Sequence, residues 1–295
     1  MDSDADPIRN PDTMMLSVII VNFKNAPLLR LALTSLARTL SRQIPYEVIV
    51  VDSATSAETQ NVVHHDCAHL FDRIVLVPFA ENIGYTRGVN EGLRRATGTY
   101  LLNLNPDIVI LPGTVEAMMQ YLADHPQTGL IGPGLLNFDD TRQDSCFRFY
   151  TPLVMVARRI PLPFTRKLVD RFLMRDQDCS APLAVDWIMG SALMTTRAAY
   201  ERVGAMDERF FLYLSEVDWA WRFWENGYTV AYLPSVRMYH YHQRQSKGRF
   251  GVLDVIVRPQ TRWHIRDAFR YFRKHGTHGR RPQVTPAVQA PLITS

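Results

Sequence analysis

The chain has 295 residues, of which 46% are hydrophobic and 21% charged, and its formal net charge is +4. This composition is typical of a soluble globular protein with enough apolar side chains for a core. No stretch approaches the roughly 18 consecutive apolar residues of a membrane-spanning helix. The cysteines Cys67, Cys146 and Cys179 are far apart and odd in number, which argues against a disulfide framework or a cysteine-based zinc site.

Residues 1–14 are acidic and polar, and they predict a disordered tail. They lack the basic and apolar regions of a secretory signal. The sequence therefore indicates a cytoplasmic protein with reduced thiols.

Apolar, β-branched runs alternate with segments of helical periodicity in the first half of the chain. The predicted strands are Leu16–Val21, Tyr46–Val51, Ile74–Val77, Tyr100–Leu104 and Ile108–Leu111. The predicted helices are Leu28–Leu40, Ser56–Leu70, a helix that ends near Gly98, and residues 114–125. This alternation predicts an α/β fold with a mostly parallel, Rossmann-like central sheet flanked by helices. No GxGxxG follows the first strand and no GxxxxGK[ST] occurs, so the common nucleotide fingerprints are absent.

Polar residues follow three predicted strands: Asn22, Asp52 and Asp107. Because the carboxyl ends of parallel strands meet in one crevice, these side chains are expected to converge on a ligand site. Asp107 belongs to the corner Asn105-Pro106-Asp107, which alone has two interpretations. It is either a turn, since all three residue types favour turns, or a site where Asp107 holds a divalent cation and a diphosphate. Its place beside the other strand ends favours the metal.

The second half of the chain mixes short strands with basic and aromatic segments. Its predicted elements are a strand at 130–132, an irregular basic insertion over Leu153–Arg175, a strand over Val185–Thr196, a helix over Glu216–Asn226, a strand over Tyr228–Leu233 and a basic helix over about Pro259–Lys274. Ser215 is expected to cap the Glu216 helix and Gly227 to end it.

Two carboxylates, Glu216 and Asp218, lie in the first turn of that helix, where the helix dipole favours negative charge. Asp218 is spaced to pair with Arg222, which indicates a structural role. Glu216 follows an aromatic approach, Phe210–Tyr213. A partly desolvated carboxylate in this place can have a raised pKa and act as a general base.

Seven motifs occur in order over residues 16–246. They are LSVIIVNFKN, Val51-Asp52-Ser53, NIGYTRGVNEGL, LNPD, WIMGSALM, GAMDERFFLYLSEVDWAWR and a later His. Together they resemble family 2 glycosyltransferases of the GT-A fold, above all the bacterial rhamnosyltransferase branch. The resemblance implies that Asp52 contacts the nucleotide and that Glu216 is the base. It implies a donor site around Asn22, Asn82, Gly84, Arg87, Asn90 and Asn105.

The same resemblance implies a Mg²⁺ or Mn²⁺ cofactor on Asp107 and His240, with Ser246 helping to hold phosphate. A strand would place His240 and His242 on one face, and a polar strand-end role is the alternative for both. The chain departs from the family pattern twice. Ser215-Glu216 replaces the usual Glu-Asp pair, so the base is one methylene longer, and Asn-Pro-Asp replaces Asp-x-Asp.

Some aromatic and small residues of the second half are predicted to line a pocket, and others to pack in the core. Trp187, Gly190 and Ser191 are expected to line the donor or acceptor pocket, since aromatic faces suit sugar rings. Core packing explains the remaining helical tryptophans more economically, namely Trp219, Trp221 and Trp224. The pair His64-His65 has no second ligand pair at zinc spacing and is interpreted as surface.

The resemblance implies an inverting transferase that moves a sugar, rhamnosyl from dTDP-rhamnose first of all, onto a hydroxyl of a lipid-linked or polysaccharide glycan in bacterial cell-envelope synthesis. It places a GT-A domain at 15–250, with a nucleotide-binding half at 15–135 and an acceptor half at 136–250. A basic helical extension at 251–276 and a flexible tail at 277–295 follow. There are two alternative functions. A sugar nucleotidyltransferase would need a Gly-rich basic loop directly after the first strand, and residues 22–26 do not provide one. The other alternative is a non-catalytic membrane-associated binding protein.

Basic residues concentrate in two segments. Residues 237–281 contain twelve Lys and Arg against two acids, and residues 153–175 contain six against one. Both predict an anionic partner. The aromatic and basic composition of the C-terminal helix favours binding at the inner face of the plasma membrane. The alternative is an ordinary solvated or oligomer-facing helix, which leaves a homo-oligomer possible. Nucleic acid is not expected, because the sequence has no zinc finger or RNP-type motif.

Overall fold

The computed structural model describes residues 15–159, 163–241 and 259–282. The predicted tail over 1–14, His242, Ser246 and the end of the predicted C-terminal tail lie outside these ranges. Among the helices within them, none combines the length and hydrophobicity needed to cross a membrane.

One mixed sheet organises the described chain. The strands, in chain order, are β1 (Leu16–Phe23), β2 (Tyr46–Ser53), β3 (Ile74–Phe79), β4 (Tyr100–Leu104), β5 (Ile108–Ile110), β6 (Thr128–Leu136), β7 (Cys146–Phe147), β8 (Leu183–Ala184), β9 (Trp187–Ile188), β10 (Ala192–Thr196) and β11 (Thr229–His240). The main sheet has the order β3-β2-β1-β4-β10-β6-β11-β5, with β8 beside β11, while β7 and β9 form a separate pair.

The sheet directions confirm the predicted fold class. β1 is parallel to both β2 and β4, β3 is parallel to β2, and β11 is parallel to β6. β10 runs antiparallel between β4 and β6, and β5 runs antiparallel at the edge. Because β10 lies between two strands of the first half, the predicted halves 15–135 and 136–250 share one sheet.

Helices cover both faces of this sheet. They are α1 (Ala26–Thr39), α2 (Ala57–Asn61), α3 (Tyr85–Arg95), α4 (Thr114–Asp124), α5 (Pro152–Arg159), α6 (Arg166–Phe172), α7 (Arg197–Val203), α8 (Ser215–Glu225) and α9 (Pro259–His275). Alternate residues of β1 point to two cores. Ile19 and Val21 pack with α3 and α8, and Val18 and Ile20 pack with α1 and α4.

The predicted single helix over Ser56–Leu70 is wrong. Helix α2 passes into a π-helical turn, Val62–Asp66, and then a 3₁₀ turn, Ala68–Leu70. The wider π turn coincides with two adjacent valines, Val62 and Val63, which are both fully buried. The neighbouring pair His64-His65 is exposed, as expected for surface residues.

Two further expectations need correction. The basic insertion predicted as irregular contains α5 and α6. Residues 277–282, the described part of the predicted flexible tail, include a packed side chain. The Arg281 Nε atom lies 2.6 Å from Asp186 Oδ1, and its guanidinium lies 4.1 Å from the centre of the Trp224 ring. This pair and the cation–π contact attach the segment to the domain.

The start and the end of α8 are well defined, and the start determines the position of Glu216. Ser215 is the first residue of the helix rather than its cap, and the cap position belongs to Leu214 in a left-handed conformation with φ 65°. A non-glycine residue adopts this conformation only when its surroundings impose it. At the other end the Gly227 and Tyr228 N–H groups donate to Trp224 and Phe223, and Gly227 has φ 80°. These bonds confirm Gly227 as the stop residue.

Candidate active site

Strand pairing assembles the corner after β4. The Asn105 N–H donates to the Ser191 carbonyl over 2.8 Å, and the Tyr241 N–H donates to the Asp107 carbonyl over 2.8 Å. His240 is the register partner of Ile108 in the β11–β5 pair. Residues from three parts of the sequence are therefore fixed beside one another: Asp107, Ser191 and His240.

The side chains at this corner face one another. His240 Nε2 lies 3.6 Å from Asp107 Oδ2 and 3.3 Å from the Ser191 hydroxyl, and Asn105 Nδ2 lies 3.5 Å from the same hydroxyl. Asp107 Oδ1 is buried and has no hydrogen-bond partner among the described residues. A buried carboxylate oxygen without a donor is unfavourable, so the corner suits a cation.

The donor set fits a divalent cation shared with a substrate. The described residues contain no group of three His, Cys, Asp or Glu side chains arranged to hold a metal. Mg²⁺ is commonly held by one or two carboxylates together with substrate phosphates. Asp107 and His240 would supply the protein ligands, and a diphosphate and water would supply the others. The sequence prediction of this pair as the metal site is compatible with the geometry.

Gln143 orients His240, although it belongs to no recognisable sequence motif. Its Nε2 donates to the His240 carbonyl over 2.9 Å, which leaves its Oε1 2.8 Å from His240 Nδ1. Since that oxygen can only accept, Nδ1 carries the hydrogen. In the neutral ring Nε2 then has its lone pair directed toward Asp107 and Ser191, which is the arrangement of a metal-binding histidine.

Glu216 borders the same corner through Gly190. A Cβ atom on Gly190 would lie 3.5 Å from Glu216 Cβ and 3.1 Å from the Tyr85 hydroxyl. The Tyr85 hydroxyl donates to the Gly190 carbonyl over 2.7 Å. A side chain at position 190 would therefore occupy the space between Glu216 and its neighbours. Burial raises the pKa of Glu216 to about 7.

A second polar cluster lies at the ends of β1 and β2. Asn22 and Asp52 are register partners, both are fully buried, and Asn22 Nδ2 donates to Asp52 Oδ1 over 2.7 Å. Asp52 Oδ2 is buried and has no partner among the described residues. An unpaired buried carboxylate oxygen is unfavourable, so Asp52 suits a hydrogen-bond donor that the described residues do not supply. Thr59, which the sequence did not single out, also contacts Asn22.

Asn82 and Gly84 continue this cluster. The Ser53 hydroxyl contacts Asn82 Oδ1 over 3.2 Å, and the Gly84 N–H donates to the same oxygen over 2.9 Å. Gly84 has φ 79°, and a Cβ there would lie 2.6 Å from the Phe211 carbonyl oxygen. Only glycine fits, so the segment before α3 touches the loop before α8.

Three predicted site residues make contacts with other parts of the protein. Asn90 is buried and exchanges hydrogen bonds with the Met206 backbone over 2.8 and 2.9 Å, which indicates a structural role. Trp187 is stacked 4.2 Å from Phe147 inside an aromatic core, so it does not line the cleft. Arg87 is 52% exposed in the first turn of α3 and reaches toward Glu91.

The structural expectations for α8 are confirmed. Arg222 Nε lies 3.2 Å from Asp218 Oδ2, the pairing expected from their spacing. Trp219 and Trp221 are buried in the core, and Trp224 packs against it. Helix α8 therefore buries aromatic side chains on more than one face, and it delivers Glu216 at its N-terminal end.

Several solved structures with the same architecture are glycosyltransferases. The mannosyltransferase PcManGT from Pyrobaculum calidifontis, solved with GDP-Man and Mn²⁺, superposes with a TM-score of 0.59 at 20% identity, over 92% of this chain and 66% of that one. GalNAc-T7, solved with UDP, GalNAc and Mn²⁺, gives a TM-score of 0.58 at 12% identity, over 77% of this chain and 43% of that one. These likenesses establish the GT-A fold, in which a divalent metal is typical.

Sequence relatives carry the same signal. The N-acetylglucosaminyl-diphospho-decaprenol L-rhamnosyltransferase of Mycobacterium tuberculosis is 25% identical over 80% of this chain and 79% of its own length. The rhamnosyltransferase WbbL of Escherichia coli is 22% identical over 78% of this chain and 83% of its own. The family model for Glycosyl transferase family 2 matches residues 17–181, more than half of the chain. The protein therefore belongs to glycosyltransferase family 2.

Proposed function

We propose that this glycosyltransferase is an inverting, metal-assisted enzyme that transfers a rhamnosyl group from a nucleotide-diphosphate sugar, dTDP-rhamnose first of all. The acceptor is a hydroxyl of a lipid-linked or polysaccharide glycan in cell-envelope synthesis. One observation carries the proposal. An unpaired carboxylate oxygen of Asp107 lies beside His240 and Ser191, and Glu216, whose pKa is raised to about 7, lies against Gly190, the neighbour of Ser191.

Each residue has a separate task in this mechanism. Asn22, Asp52 and Asn82 hold the nucleoside. Asp107 and His240 would hold Mg²⁺ or Mn²⁺, and the cation would offset the charge on the leaving diphosphate. Glu216 accepts the proton of the acceptor hydroxyl, and the oxygen of that hydroxyl attacks the anomeric carbon from the face opposite the diphosphate. One displacement inverts the configuration, and no second carboxylate is needed as nucleophile.

The rhamnosyl donor is inferred from the relatives. Three of them are named rhamnosyltransferases, including the dTDP-rhamnosyl transferase RfbF of Shigella flexneri. A panel of dTDP-rhamnose, UDP-GlcNAc, GDP-mannose and UDP-galactose with Mn²⁺, read out as nucleotide diphosphate release, tests the donor. We expect dTDP release to dominate. Preference for another donor would contradict the rhamnosyl assignment, and pyrophosphate release would indicate a nucleotidyltransferase.

The pH dependence should report the ionisation of Glu216. A general base must be deprotonated, and the pKa of Glu216 is about 7, so activity is lost as the pH falls through this value. We expect kcat/KM for the donor to fall about tenfold per unit below pH ~7 and to level off above it. Initial rates between pH 5 and pH 9 in one buffer mixture of constant ionic strength measure this. A flat profile would remove Glu216 from this role.

We also propose that α9 contacts an anionic membrane surface. One face of this helix is exposed and carries three arginines and two large apolar side chains at helical spacing: Arg262, Ile265, Arg266, Phe269 and Arg273. Phe269 is 69% exposed. The arrangement suits the interface of an anionic bilayer, where basic residues meet headgroups and apolar side chains enter the acyl boundary.

Removing two of these arginines should weaken vesicle binding. Each basic residue near an anionic surface contributes about 1 kcal/mol, so Arg262→Ala with Arg273→Ala should lower the partition coefficient roughly 30-fold. Co-sedimentation with phosphatidylglycerol vesicles measures the effect. Arg38→Ala with Arg42→Ala is the matched control, because it removes the same charge from exposed positions at the end of α1. Equal binding by both double variants would contradict the membrane proposal.

A further inference from the structure

Asp267 is a buried acid on the otherwise basic helix α9. Its side chain is fully buried, and its Oδ2 atom accepts hydrogen bonds from three consecutive backbone N–H groups. The donors are Phe211 at 3.2 Å, Leu212 at 3.3 Å and Tyr213 at 3.2 Å. Three successive amides that converge on one oxygen form an anion-binding concavity of the backbone. Here the anion comes from the protein itself.

The three amides that donate hydrogen bonds to Asp267 belong to the loop that leads into α8. The next residue, Leu214, is the left-handed cap, and Glu216 follows two positions later. A strained non-glycine conformation persists only where neighbouring contacts determine it. The bonds to Asp267 end one residue before this cap, so they fix the direction in which α8 begins.

Other α9 side chains cover the same loop. The Trp263 ring packs against Phe211 with centroids 4.7 Å apart, and His264 packs against Tyr213 at 4.9 Å. At its far end α9 reaches the residue two beyond Glu216, where His275 Nε2 lies 2.7 Å from Asp218 Oδ1. Helix α9 thus holds the chain on both sides of the proposed base.

The cost of burying Asp267 is only partly offset by charge pairing. Arg266 Nε lies 3.4 Å and Arg270 lies 3.7 Å from its Oδ1 atom. A buried carboxylate is tolerated when hydrogen bonds satisfy it, and the three loop amides supply them. Burial is the main cause of the raised pKa of Glu216, and the negative charge of Asp267 raises it further.

We propose that Asp267 is a positioning residue: by binding the amides of 211–213 it fixes the entry of α8 and so the place of Glu216 in the cleft. This role in catalysis rests on the proposed function. The binding of the loop does not, because it is a property of the fold. Helix α9 is then part of the catalytic unit.

The test compares Asp267→Ala and Asp267→Asn with Ala268→Gly in the full chain. Ala268 is the buried neighbour on the same helix, and glycine weakens α9 through helix propensity without touching the loop. Two quantities are measured: hydrogen–deuterium exchange of the peptide that contains 211–213, and kcat and donor KM where the wild type turns over a donor.

We expect Asp267→Ala to speed exchange of these amides at least tenfold and to lower kcat at least tenfold, with donor KM within threefold. Asn keeps an acceptor oxygen without the charge, so Asp267→Asn should fall between Ala and wild type. Ala268→Gly should leave both quantities within threefold of wild type. Unchanged exchange in Asp267→Ala, or the same changes in Ala268→Gly, would overturn the proposal. A wild type without turnover would contradict the proposed function, and exchange would still decide whether Asp267 holds the loop.

Discussion

Glu216→Gln should lower kcat by about 10³-fold, because positioned general bases contribute on the order of 10² to 10⁴ in rate. The amide keeps the size of the side chain but cannot accept a proton from the acceptor hydroxyl. Affinity for dTDP with Mn²⁺ should stay within about twofold, since the nucleoside is assigned to the β1 and β2 cluster. Initial rates and calorimetric titration of the same preparation measure both quantities.

The matched control for this variant is Glu225→Gln, the same change at the exposed end of the same helix. It should keep wild-type turnover. If Glu216→Gln also turns over like the wild type, Glu216 is not the base and the mechanism fails at its proton-transfer step. If both variants lose activity together with folding, near-ultraviolet circular dichroism identifies the loss as structural.

Asp107→Ala should reduce Mn²⁺-dependent affinity for dTDP by about 100-fold or more, since even changes to residues that only support a metal ligand typically cost 10–100-fold. The protein without nucleotide should not lose stability, because Asp107 Oδ1 is buried without a partner among the described residues and removing an unsatisfied group relieves its desolvation cost. Titration of dTDP with and without Mn²⁺, together with thermal melting, separates the two effects.

Asp139→Asn is the control for Asp107→Ala. It removes one negative charge from an exposed position in the loop after β6, so its nucleotide affinity should match that of the wild type. Metal-independent binding of dTDP by both the wild type and Asp107→Ala would show that the corner after β4 holds no cation, and the metal assignment would be wrong.

The sequence predicted the sheet well because the buried strands are short, apolar and β-branched. Their polar ends could be placed at one edge from the parallel topology alone, and Asn22 and Asp52 do pair there. The sequence predicts strand character over Val185–Thr196, but the structure divides this segment into β9 and β10, which belong to different sheets. The insertion of β10 between β4 and β6 could not be predicted either. That insertion depends on long-range pairing, which local periodicity does not encode.

Two predicted donor-site residues have structural contacts that compete with a ligand. Asn90 lies in a motif beside the donor segment, yet its amide is used by the Met206 backbone. Trp187 has the right chemistry for a sugar platform but fills the core beside Phe147. Residue type and motif order define a neighbourhood, whereas burial and competing partners decide which side chains remain available to a ligand.

Residues that the sequence missed have no motif of their own. Gln143 lies in a polar loop, and only the structure shows that its amide nitrogen and oxygen both form hydrogen bonds with His240. Asp267 is one acid in a basic helix, and its importance follows from the face on which it lies. The aromatic and basic composition of α9 predicts a membrane-facing helix but does not show that its opposite face packs against the loop before α8.

The anomeric configuration of the transferred sugar tests the central claim most directly. Wild-type enzyme, Mn²⁺, the donor identified by the panel and a glycan acceptor give a product whose anomeric coupling is measured by nuclear magnetic resonance. Single displacement with Glu216 as base predicts a configuration opposite to that of the donor. Retention would contradict it, because retention by double displacement requires a carboxylate nucleophile in addition to the base.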